Sequence, residues 1–109
     1  MLTKVFDWSN PEHDIISDVL AVNAEYFNSG KGNLQFVRVT SPQLNNIINN
    51  NGIKAQNGPN TNLETFNREG LPEGCFAITL RALPWLQFIV QERETSNEVV
   101  FSHDLTDLL

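Results

Sequence analysis

Cys75 is the only thiol in the chain, and His13 and His103 are the only imidazoles. A thiol nucleophile needs a base within hydrogen-bond reach and a lowered pKa. Cys75 follows Gly74 and opens an apolar run, where an inert, packed cysteine would also sit, and no catalytic signature surrounds it. Two histidines far apart and one cysteine form no metal-ligand spacing, and the neighbours His103 and Asp104 point in different directions. Gly30-Lys31-Gly32 follows a helical pattern rather than a strand, so it does not match a phosphate-cradling loop, and there is no Gly-x-Ser-x-Gly or His-Glu-x-x-His. The expectation is a protein that is not an enzyme, with no metal and no cofactor.

Carboxylates offer a second route to chemistry. Glu92 and Glu94 are two apart on an expected strand and share a face, and a turn through Ser96-Asn97 would bring Glu98 beside them. Glycosidase-type chemistry needs such a pair about 5–10 Å apart across a cleft, with one pKa raised by burial. A strand end beside a polar turn is wet, so these acids read better as a binding face for a basic partner. Trp85, just after Pro84, joins them as a candidate contact, because exposed tryptophan is enriched at interface hot spots. The expected partner-binding residues are therefore Glu92, Glu94, Glu98 and Trp85.

Composition narrows the partner. The chain has 109 residues, a net charge of −6, 40% hydrophobic and 18% charged residues, which suits one globular domain and excludes a charge-driven disordered chain or a coiled coil. The seven Lys and Arg residues are scattered singly, whereas a grip on phosphate needs a clustered basic patch. Direct nucleic-acid binding is not expected. No apolar run spans a bilayer and no signal-type segment opens the sequence, so no membrane partner is expected. A single cysteine allows no internal disulfide and fits a reducing, cytoplasmic setting.

Periodicity supplies the elements that would hold these residues. Pro11 after Ser9-Asn10 opens an expected helix over 11–28, with Ile15, Val19, Val22 and Tyr26 on one stripe, Ile16, Leu20 and Phe27 beside it, and Gly30 as the stop. Residues 34–40, apolar on both faces, predict an interior strand. Ser41-Pro42 opens a short helix over 42–50. The asparagine-rich stretch from Asn45 to Asn62 carries Asn-Gly turn signals, and its part from 49 to 62 reads as a flexible connection or as a recognition loop of uncharged amides. Thr61-x-x-Glu64 is a capping box and predicts a third short helix ending at Gly70. Strands are expected over 75–82 and 85–93, broken by Pro84, and over 98–102, with a weak one over 2–6. The C-terminal Asp104-Leu-Thr-Asp-Leu-Leu109 fits two permissive linear motifs, an acidic dileucine signal and a coactivator-type helix. A last helical turn docking its leucines on the sheet explains it more simply.

The fold class is thus α+β: a single domain with two or three helices packed on a mainly antiparallel sheet of three to five strands. The expected core takes Ile16, Val19, Leu20 and Phe27 from the first helix, and Phe36, Val37, Ile47, Phe66, Phe76, Ile78, Leu80, Leu86, Phe88, Val90 and Phe101 from the rest. In size, acidity and want of a catalytic constellation the chain is similar to the small inhibitors and toxin-immunity proteins of bacteria and their phages, a likeness of composition rather than motif. It implies a stoichiometric protein-binding module that occludes a basic surface on its target. The alternatives are a subunit of a homo-oligomer that uses its sheet edges and, further off, a small enzyme using Cys75 or a carboxylate pair.

Overall fold

The computed structural model describes residues 1–57, 64–66, 70–91 and 97–108. Strand β2 (Phe36–Val39) lies in the middle of one mixed sheet, as its two apolar faces require. It pairs antiparallel with β6 (Glu98–Ser102) on one side and parallel with β5 (Leu83–Val90) on the other. Outward from β6 comes β1 (Leu2–Val5), and outward from β5 come β4 (Phe76–Leu80) and β3 (Glu64–Phe66), all antiparallel to their neighbours. Helices α1 (Ile15–Asn28), α2 (Ser41–Asn49) and α3 (Asn51–Asn57) complete the elements, with a 3₁₀ turn at Leu105–Leu108. The α+β class and the largely antiparallel pairing are as expected, and among the described residues the sheet has six strands where three to five were expected.

Three elements differ from the expectation, each for a physical reason. Helix α1 begins at Ile15 rather than residue 11, because the Asp14 carboxylate accepts the Ser17 N–H at 3.0 Å and caps it there. It ends as read, with Ser29 at the cap and Gly30 in the left-handed region at φ 81°. Helix α2 is capped by Thr40, one residue earlier than read, through a capping box with Gln43. The expected third helix over 61–70 is absent from its described part: Glu64–Phe66 is a strand paired with Thr79, Ile78 and Ala77 of β4. A free sheet edge offers this segment backbone partners, and that overrides a weak local helix signal.

Pro84 does not separate two strands. Arg81 and Ala82 form the turn after β4, and Pro84 is the second residue of β5. It is tolerated because it falls in an irregular stretch of the β4–β5 pairing, between the Leu80–Leu83 and Thr79–Gln87 partners, and the β2 ladder begins only at Gln87.

The asparagine-rich stretch is also more ordered than a passive connection over its described part. Asn50 is fully buried between α2 and α3. Its Oδ1 accepts the Ile53 N–H at 3.1 Å, capping α3, and its Nδ2 donates to the His13 carbonyl at 2.7 Å. The Asn51 N–H adds a bond to the Pro11 carbonyl at 2.8 Å. Asparagine here is a cap and a strap, and Ile53 enters the core. Residues 58–62 of the expected connection lie outside the described residues.

The main core lies between the helices and one sheet face, and includes Ile15, Val19, Val22 and Tyr26 of α1, Ile47, Ile53, Phe88 and Phe101. Trp8 joins it from the segment before α1, stacked on Phe6 with ring centroids 5.0 Å apart. Leu20 and Phe27, expected in the core, stay 49% and 58% exposed. A single helix laid on a sheet buries one stripe, and the chain chose the neighbouring one. Ile16 and Phe76 are only partly buried, and Phe66 lies where side chains are outside the description. The opposite sheet face carries a smaller cluster of Phe36, Ala77, Ile89 and Val100, covered by Leu108 and flanked by Leu71 and Leu105. Leu105 and Leu108 thus dock on the sheet as read, and Leu109 lies outside the described residues.

Replacing Asn50 by alanine removes a helix cap and leaves the His13 carbonyl and the Ile53 N–H without their partner. We expect it to cost about 2–3 kcal/mol in a urea unfolding experiment. The exposed Asn45→Ala is expected to change stability by less than about 0.5 kcal/mol in the same experiment.

Candidate functional site

Carboxylates gather where β1 ends and α1 begins. Val5 lies opposite Glu98, and the Phe6 N–H bonds to the Asn97 carbonyl, so Asp7 leaves the sheet at the same end as Glu98. From there the chain turns into α1 through residues 8–14, and this segment is sewn together by its own polar groups. Asp7 accepts the Ser9 N–H at 3.1 Å and the Ser9 hydroxyl at 2.6 Å. Asn10 accepts the Glu12 N–H at 3.0 Å, and Glu12 meets the Asn51 side chain.

Asp18 is the centre of this end. One carboxylate oxygen accepts the Trp8 indole N–H at 3.0 Å and lies 2.7 Å from His13 Nε2. The buried Trp8, 2% exposed, therefore keeps its polar atom satisfied while its ring fills the core. Gln43 ties the neighbouring strand end in place, donating to the Glu98 carbonyl at 3.4 Å. Asp7, Glu12, Asp14, Asp18 and Glu98 thus share one end of the molecule. Only Glu98 of these was legible as a binding candidate; the others are brought to it by β1 pairing and by the turn into α1.

Of the four expected contact residues, Glu98 is exposed at this end, and Glu92 and Glu94 lie outside the described residues. Trp85 is 41% exposed, as a contact residue would be, but it stands near the start of β5. The registers of β2 with β5 and β6 put Trp85 level with Leu34 and Glu98 level with Thr40. Six residue steps at about 3.3 Å separate them by ~20 Å along the strands. Trp85 and Glu98 do not form one contact.

Of the residues weighed for catalysis, His13, His103 and Cys75 are not brought together, and Glu92 and Glu94 lie outside the described residues. His13 faces Asp18, and His103 sits beside Tyr26, whose hydroxyl meets His103 Nδ1 at 2.5 Å and accepts the His103 N–H at 3.2 Å. Cys75 is half-buried ahead of β4. Among the described residues no three His, Cys, Asp or Glu side chains are grouped to hold a metal ion. No helix among them is long and apolar enough to cross a membrane.

Two exposed aspartates have shifted titrations. The Ser9 hydroxyl, then the Ser9 N–H, hold Asp7 below the usual aspartate value, and the Thr106 hydroxyl and N–H do the same for Asp104. Donors aimed at a carboxylate favour its charged form. The stability each contributes is present above the unfolded-state pKa and is lost as pH falls through the lowered folded-state value.

In an NMR titration Asp7 and Asp104 should therefore remain ionised to lower pH than an ordinary aspartate. Ser9→Ala should raise only the Asp7 midpoint, and Thr106→Val only that of Asp104. Cys75→Ala is expected to keep the fold and to cost no more than about 1–2 kcal/mol, as trimming a partly packed side chain does. No protein-family model, no curated protein and no solved structure matches this chain.

Proposed function

We propose that this chain is a non-enzymatic protein-binding domain that covers a basic surface of its target. The observation that carries the reading is the convergence of Asp7, Glu12, Asp14, Asp18 and Glu98 at one end of the sheet, in a chain of net charge −6. Asp7, Glu12 and Asp14 are held by neutral donors and Asp18 by the Trp8 indole and His13, so these carboxylates are fixed in position. Glu92 and Glu94 precede Glu98 by a few residues and add to the same reading.

The mechanism is occlusion. A negative end steers a basic partner into encounter and then excludes water and other ligands from its functional surface. A stoichiometric inhibitor of the bacterial or phage immunity type, acting in the cytoplasm, is the form of protein that this chemistry suits. The single free cysteine supports a reducing setting.

The test starts with affinity capture from host extract, followed by association kinetics with the protein retained. Changing Glu92, Glu94 and Glu98 together to lysine is expected to slow association about tenfold or more at ~0.05 M salt. At ~0.5 M salt most of that difference should vanish, because the screening length falls to a few Å. The fold should survive, since exposed charges contribute under about 1 kcal/mol each. Unchanged association at low salt by a folded triple variant would refute the reading.

A further inference from the structure

At the far end of the sheet from the carboxylates, Asn23, Asn33, Leu34, Gln35 and Trp85 line an open groove of about 420 Å³. The parallel pairing of β2 with β5 creates it, by setting the residues before β2 beside the start of β5. None of the lining side chains is ionisable. Leu34 is buried, whereas Asn33, Gln35 and Trp85 are exposed. Asn23 Oδ1 accepts the Leu34 N–H in a long bond of 3.4 Å, which leaves the Asn23 Nδ2 donor unused. Among the described residues, the side-chain amides of Asn33 and Gln35 and the indole N–H of Trp85 have no hydrogen bond within the chain. Leu20 and Phe27 lie three before and four after Asn23 on α1, so the same helix flank adds an exposed apolar shoulder.

We propose that this groove binds a neutral sugar ring, with Trp85 as the platform. The lack of any charged lining group excludes a ligand whose affinity depends on phosphate or carboxylate, and the chain's overall negative charge acts in the same direction. A pyranose presents a C–H-rich face and an edge of hydroxyls. The indole plane covers the first. Primary amides suit the second, because each offers a donor and an acceptor and each hydroxyl needs both. A nucleobase is the rival planar ligand, but it has two apolar faces, and the groove holds a single aromatic ring. A sugar leaves its second face in water at little cost. The volume lies within the range of about 300–1,000 Å³ typical of small-molecule sites and leaves room for a sugar of one or two rings. The site is separate from the acidic end and does not depend on what that end binds.

The experiment is a ¹H–¹⁵N NMR titration of the full chain with methyl β-glucopyranoside, methyl β-galactopyranoside and N-acetylglucosamine, with adenosine as the planar comparison. At least one sugar should give saturable shifts of the Trp85 indole and of the Asn33 and Gln35 side-chain amides, with a dissociation constant in the millimolar range. The buried Trp8 indole should not move, and it serves as the check that each variant is folded. Gln35→Ala should weaken binding by about threefold to tenfold, Trp85→Ala should abolish it, and added salt should leave it unchanged. The proposal is overturned if no sugar gives saturable shifts, if adenosine alone does, or if sugar shifts persist in Trp85→Ala.

Discussion

Strand β2 has to be covered on both faces, and most of the architecture answers that demand. Val37 and Val39 are buried toward the helices, and Phe36 is buried on the other side. A central strand also needs partners on both edges, which β6 and β5 provide. On one face α1, α2 and α3 supply the apolar layer. On the other, among the described residues, the C-terminal turn brings Leu108 onto Phe36, Ile89 and Val100, with Leu105 and Leu71 packed beside them. Arg38, between Val37 and Val39, would be costly there without a partner, and its Nη1 donates to the Leu108 carbonyl at 2.8 Å. The C-terminal turn is therefore as much a part of the core as the helices are. Asp104 and Asp107 hold it, the first accepting the Thr106 N–H at 3.0 Å and the second the Ser102 hydroxyl at 2.9 Å.

Buried polar groups, rather than further apolar area, join the helical layer to the sheet ends. The Asn50 amide links α2, α3 and the segment before α1 in one group. The Trp8–Asp18 bond links that segment to α1 itself, and the stack of Trp8 on Phe6, with Phe6 edge-on to Phe101, links it to the sheet. Each of these groups has few alternative partners, so together they specify one arrangement of a loop that apolar packing alone would leave loose. The acids at this end are thereby fixed in position as a consequence of folding.

How much of this was legible follows from the range of the signals. The α1 stripe of Ile15, Val19, Val22 and Tyr26 is a local period, and it reads correctly; the interior place of β2 follows from its two apolar faces. The choice between that stripe and its neighbour with Leu20 and Phe27 needs to know what the helix lies against, which no local pattern contains. The strand at Glu64–Phe66 depends on a partner more than ten residues away, and its local capping box pointed to a helix instead. Asn50 looked like one more turn-forming asparagine, because its value lies in reaching His13, thirty-seven positions back. The candidate sites follow the same rule. Trp85 and Glu98 were visible as residue types, but only the strand register shows that they stand at opposite ends. The amides of Asn23, Asn33 and Gln35 carry no spacing signal at all, since a parallel strand pairing is what gathers them beside Trp85.

That separation gives the two ends independent chemistry. The carboxylates at the α1 entry and the groove at Trp85 are ~20 Å apart along the strands, against a screening length of about 8 Å at physiological salt. The negative potential of one end is thus strongly attenuated at the other. An acidic end acts at a distance, depends on salt and tolerates imprecise geometry, because Coulomb attraction is long-ranged. A groove of amides around an indole acts only at contact, is indifferent to salt and depends on the placement of each donor and acceptor. The fold supports that second demand where it is needed: two of the groove's walls come from β2's approach and β5's start, held in mutual register by the ladder from Phe36–Gln87 onward. The third comes from Asn23, fixed by its bond to the Leu34 N–H. The acidic end, by contrast, is built on turns, where small shifts change a charge's position but hardly its field.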